Sequence, residues 1–142
     1  MGGNNLANVK ELIVAQQNGT LDFGDYSLDR KTKLADFPFE GDTYKVKTFK
    51  EITRLEKNGV VAYESVPGSA VHNYRNTDHQ ITFEVESVDD LQITLEVEPQ
   101  KEYKVLIDDT NIGRIKSNLG GKISFGIELN PGETARVKVV RL

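Results

Sequence analysis

The chain has 142 residues, a net charge of -4 and no cysteine. That length fits one domain able to bury a core without staples, and the missing thiols exclude disulfides, a thiolate nucleophile and a cysteine zinc site. The acidic balance argues against a polyanionic nucleic-acid partner, which needs clustered Lys and Arg. No apolar run approaches the length of a membrane span and no charged-then-apolar leader opens the chain, so no membrane partner is expected and the expected location is the cytoplasm.

Met1-Gly2-Gly3-Asn4-Asn5 opens a stretch expected to be a flexible tail over residues 1–7, leaving 8–142 for a single domain. Asn8 and Glu11 have the spacing of a helix capping box, with Val9, Leu12 and Ile13 behind them. Against a helix, Leu12/Val14 and Leu21/Phe23 flank Asn18-Gly19, a pair that favours a hairpin because both turn residues take positive φ. The hairpin is the expected outcome. Arg30-Lys31-Thr32-Lys33, set between Asp25 and Asp36, reads as a solvated turn. A turn from Phe37 to Asp42 then feeds an alternating strand that runs to Phe49. Asn58-Gly59 joins the run at Ile52 to the run at Val60, and Val66-Pro67-Gly68-Ser69 has the composition of a type II turn.

From Gln80 onward four runs place apolar residues at every second position: Ile81/Phe83/Val85, Leu91/Ile93/Leu95/Val97, Ile123/Phe125/Ile127/Leu129 and Ala135/Val137/Val139. A half-buried strand has that period, since successive side chains leave opposite faces of the pleat. A turn from Asp108 to Gly113 separates Tyr103/Val105/Ile107 from Ile112/Ile115. The sum is an all-β, antiparallel two-layer β-sandwich, jelly-roll-like or Ig-like, of about nine or ten strands.

Few residues carry chemistry. His72 and His79 are spaced for neither a helical nor a strand metal pair, so no metal and no cofactor are expected. His72 retains the capacity of a general base if a carboxylate orients it. Ser65, Ser69 and Ser124 lack a nucleophile-elbow context. Glu84 and Glu86 alternate with Phe83 and Val85 on a wet strand face, and Asp108-Asp109 suits a turn better than a calcium loop. No catalytic set emerges.

What remains is surface. The six Phe and five Tyr lie mostly in the first half of the chain. Several near turns, exposed together, would form a stacking platform or an anchor set. The expected binding set is Phe37, Phe39, Tyr44, Tyr63, Glu64, His72 and Tyr74, carried on loops and edges.

The segment from Asp42-Thr43-Tyr44-Lys45-Val46-Lys47 to Asn58-Gly59, with Tyr63-Glu64-Ser65-Val66-Pro67-Gly68 to Tyr74, resembles a family of small proteins from anaerobic Gram-positive bacteria often labelled "endosialidase". Leu21 to Tyr26 and Gly120 to Phe125 extend the resemblance over most of the chain. A true sialidase is a large propeller with an arginine cluster, so for a chain of this length the resemblance implies ancestry rather than catalysis. Tyr103 to Val139 is also similar in rhythm to the terminal sandwich modules of polysaccharide-degrading enzymes. With few residues that carry chemistry, the expected function is a non-catalytic accessory or assembly role, through a protein-binding or self-association surface. A carbohydrate-binding or carbohydrate-active module using exposed aromatics with Glu64 or Asp108 is the alternative.

Overall fold

In the computed structural model, which describes residues 8–142, two antiparallel sheets face each other across a shared apolar core. The strands in chain order are β1 (Ile13–Ala15), β2 (Leu21–Phe23), β3 (Thr32–Phe39), β4 (Asp42–Phe49), β5 (Ile52–Lys57), β6 (Val60–Val66) and β7 (Ala70–Asn76). There follow β8 (Gln80–Glu86), β9 (Leu91–Glu96), β10 (Glu102–Ile107), β11 (Thr110–Lys116), β12 (Lys122–Ile127) and β13 (Thr134–Arg141). One sheet has seven strands in the order β1-β2-β7-β8-β13-β10-β11; the other has six, β12-β9-β6-β5-β4-β3. The fold is the expected sandwich. The tail expected over residues 1–7 lies outside the described residues.

Among the described residues the 13 strands exceed the expected nine or ten, and two bulged strands account for most of the difference. In β3 the pairing with β4 shifts between Leu34 and Phe37, and in β7 the pairing with β8 shifts between His72 and Arg75. An extra residue in a strand breaks the two-residue period. Leu34 and Phe37, like Val71 and Tyr74, therefore face inward at a spacing of three. Thr32 and Lys33, expected in a turn, begin β3, and His72, expected in a loop, lies within β7.

Turn chemistry sets the hairpins. Asn58 and Gly59 have φ of 52° and 84°, a two-residue turn between the paired Lys57 and Val60. Glu40-Gly41 and Asp108-Asp109 repeat that geometry, so the turn expected to run on to Gly113 is tighter and β11 begins at Thr110. At Asn18-Gly19 only Gly19 takes positive φ, and the loop is longer: Gln16 N–H reaches Thr20 O at 2.8 Å. β1 pairs with β2 as the hairpin predicted, without a helix.

The Val66–Ser69 segment is not a type II turn. The Val66–Pro67 peptide is cis and Gly68 has no positive φ. Glycine is required there for another reason: a Cβ on Gly68 would stand 2.0 Å from Phe49 O. This bend closes over a chain of buried hydroxyls. Thr48 Oγ1 lies 2.8 Å from Thr53 Oγ1, Ser69 N–H donates to Thr53 Oγ1 at 3.0 Å, and Ser69 Oγ is 2.6 Å from Ser65 Oγ. Each buried polar group in that chain has a partner, as burial demands.

The alternating runs of the second half point inward as predicted: Phe83, Val85, Leu95, Ile93, Phe125, Val137 and Val139 are buried. At the centre Tyr63 meets Phe23 and Phe83 edge to face, with ring centroids 5.2 and 5.5 Å apart.

Candidate functional site

The structure distributes the seven expected binding residues over three separate places. Tyr63 is fully buried, and its hydroxyl lies 2.8 Å from Ser69 Oγ. Tyr74, also buried, packs edge-on against Phe23 at 5.5 Å, and burial pushes its phenol up to about 12. Tyr44 is buried beside the half-buried Phe39, with centroids 6.0 Å apart. Phe37 and Phe39 lie along the edge strand β3 and pack inward. The rings thus build the core rather than an exposed platform. Tyr44, Tyr74 and Phe39 do converge on a small hollow of about 90 Å³, with Asp42, Lys57 and Arg75 at its rim.

Glu64 follows Tyr63 in β6 and so faces the opposite way, onto the outer surface of the six-stranded sheet. Its Oε1 accepts a hydrogen bond from Arg54 Nε at 3.1 Å. Asp108, the other carboxylate expected for sugar chemistry, ties its turn to β13 by accepting the Arg136 N–H at 2.8 Å.

His72 stands on the outer face of the seven-stranded sheet, its Nδ1 3.1 Å from Asp22 Oδ2. Asp22 also accepts Gln16 Nε2 at 2.8 Å and the Asn73 N–H at 3.0 Å. Burial works to raise the Asp22 carboxyl, but the hydrogen bonds from His72, Asn73 and Gln16 outweigh it and hold the group below its ordinary value. An oriented histidine of this kind is an acid–base arrangement. The adjoining hollow is lined by Asn8, Val9, Glu11, Val14 and Gln16, and none of these supplies a nucleophilic hydroxyl or thiol.

The feature that side-chain chemistry does not predict is backbone. β12 pairs with β9 in unbroken register from Lys122 opposite Glu96 to Ile127 opposite Leu91, and β12 ends its sheet. Val97 N–H donates to Gly121 O at 2.8 Å, and antiparallel ladders alternate from such a pair. Ile123, Phe125 and Ile127 consequently turn their backbone groups toward β9, while Ser124 and Gly126 turn theirs out to the open edge. Lys122 is covered: its N–H donates to Asn118 Oδ1 at 2.9 Å and its carbonyl accepts the Asn118 N–H at 3.1 Å. Beside the edge runs an open hollow of about 580 Å³ between the sheets, lined by Leu91, Gly126, Ile127 and the exposed Ile112 of β11. Compared with known proteins, the chain matches no family model, no curated protein and no solved structure.

Proposed function

We propose that the protein acts by binding rather than by catalysis, and that its partner is a second copy of the chain added edge to edge at β12. The carrying observation is the outward backbone of Ser124 and Gly126 on an unguarded edge. Natural sheets blunt their edges with charge, Pro, bulges or brevity. β1 has three residues; β3 has Pro38 and a bulge at Asp36, where φ is 59°. β11 shifts register between Val105 and Leu106 of its partner strand and exposes Arg114 and Lys116. β12 has none of these guards beyond Lys122, whose ammonium turns back to Val61 O at 2.9 Å.

The strand is also complementary to itself. In an antiparallel pairing with its two-fold axis at Gly126, Phe125 faces the second copy's Ile127, and Ser124 faces its Glu128, in the segment that continues past the end of β12. Ile123 faces its Leu129. Every inward pair is apolar, so two cores continue across the joint, and the pairing avoids Lys122. Strand addition of this kind supplies main-chain hydrogen bonds as its affinity.

Light scattering over a wide dilution series tests the proposal. The expected mass is that of a dimer at high concentration. Gly126→Pro removes an outward N–H and should give a monomer whose melting temperature matches that of the parent at dilutions where the parent is itself monomeric. A monomeric parent chain at all concentrations overturns self-association.

A further inference from the structure

One polar side chain from each strand of the six-stranded sheet lies in a single row across its outer face. Lys33 stands opposite Lys47, Lys47 opposite Arg54, Arg54 opposite Glu64, Glu64 opposite Thr94, and Thr94 opposite Ser124. With strands about 4.8 Å apart, the row is about 24 Å long. Its two ends differ in chemistry. Lys33, Lys47 and Arg54 make one end cationic, and Glu64, Thr94 and Ser124 make the other a run of hydroxyls and a carboxylate, with Thr94 Oγ1 2.8 Å from Ser124 Oγ.

Like charges directly opposite one another destabilise a sheet, so three in succession carry a cost. Only Arg54 is paired, to Glu64 at 3.1 Å. Among the described residues Lys31, Lys33 and Lys47 take part in no ion pair, although the chain as a whole has a net charge of -4. Desolvation, with the fields of Arg54, Lys31 and Lys33, holds the Lys47 ammonium below its ordinary value. An added anion would relieve that repulsion.

We infer that this row binds a chain of carboxylate-bearing sugars, with acid groups on Lys33, Lys47 and Arg54 and hydroxyls on Glu64, Thr94 and Ser124. Ammonium and guanidinium groups make strong charge-assisted hydrogen bonds to carboxylates, as they do to phosphates. The length of the row suits a linear polymer laid across the strands. A duplex nucleic acid or an anionic membrane presents a broad negative surface, which the acidic remainder of the chain repels. An acidic peptide would use the cationic end alone. The site consists of side chains on the sheet face, whereas edge pairing at β12 uses backbone groups, so either can fail without the other.

The test is binding of the full chain to polygalacturonate, with neutral dextran as control. Binding is expected at low salt and should be lost at about 0.5 M salt, where charge interactions are screened. Lys47→Gln should weaken it about tenfold, while Lys138→Gln, on the outer face of the other sheet, leaves it unchanged; unaltered melting of both variants keeps the comparison valid. No binding to polygalacturonate, or equal loss in the Lys138 variant, overturns the site. Equal binding to poly-glutamate, single-stranded DNA or phosphatidylserine vesicles overturns the assignment to sugars.

Discussion

The Tyr63 hydroxyl lies 2.8 Å from Ser69 Oγ, and both residues have 0 % exposure. That bond ties the middle of β6 to the bend that carries the chain into the other sheet. Tyr63→Phe keeps the ring contacts and removes the bond, leaving Ser69 its contact with Ser65. A loss of about 1–2 kcal/mol is expected, and urea unfolding measures it. Tyr63→Ser, which also removes the ring from the Phe23–Phe83 cluster, should cost about 3–5 kcal/mol. Equal stability of parent and Phe variant would mean the hydroxyl is solvated in solution.

Leu95 and Phe125 test the core in the second half. Both are buried where β9 and β12 face the seven-stranded sheet. Truncation of either to Ala should cost about 2–5 kcal/mol. Chemical denaturation reads this directly, and a change below the scatter of surface variants would contradict the inward orientation of the alternating runs.

Two glycines should respond differently to Ala. At Gly59, φ is 84° and nothing lies within 4 Å of where an Ala methyl would stand, so the change costs only backbone strain, about 1 kcal/mol. At Gly68 the methyl would meet Phe49 O at 2.0 Å, and backbone has to move. Gly68→Ala should lower the melting temperature by far more than Gly59→Ala; the reverse order in a thermal melt would refute the close approach.

Acid should loosen the outer face of the seven-stranded sheet through Asp22. Its carboxyl is held below the ordinary value in the folded chain, so ionised Asp22 stabilises the fold above the unfolded-state pKa, near 4. That contribution is lost as pH falls through the lower, folded value. In Asp22→Asn the corresponding part of the acid slope disappears. Melting temperatures of parent and variant, recorded from neutral pH to about pH 3, should converge on the acid side.

The legibility of this fold follows its regularity. β8, β9, β12 and β13 keep one dry face, and the β9–β12 and β8–β13 ladders run without bulges, so period two in the residues maps directly onto inside and outside. β3 and β7 hide because an inserted residue moves Phe37 and Tyr74 out of phase. Tyr63 sits next to a pairing shift at the start of β6, where Val60 to Tyr63 is continuously apolar and gives no side to the ring. Nearness to a turn is therefore a poor guide to its exposure. The row from Lys33 to Ser124 is hidden for a different reason: its members come from six separate strands, and only the register brings them together. The cations look scattered along the chain because clustering here is a property of pairing.

The two ends of the sandwich differ in how they tolerate added chain. At one, the bend at Gly68 presses on Phe49 O, and Ser87 Oγ donates to Gly68 O at 2.9 Å, so three connections interlock. At the other, Asn58-Gly59 is a two-residue hairpin with open space around Gly59. A peptide tag or a whole inserted domain belongs after Gly59 rather than before it, because Asn58 accepts the Thr43 N–H at 3.0 Å and donates to Asp42 Oδ1 at 2.9 Å, while the flanking strands are held by their own ladders. The same insertion at Pro67-Gly68 would separate the two sheets at the point where the chain passes between them.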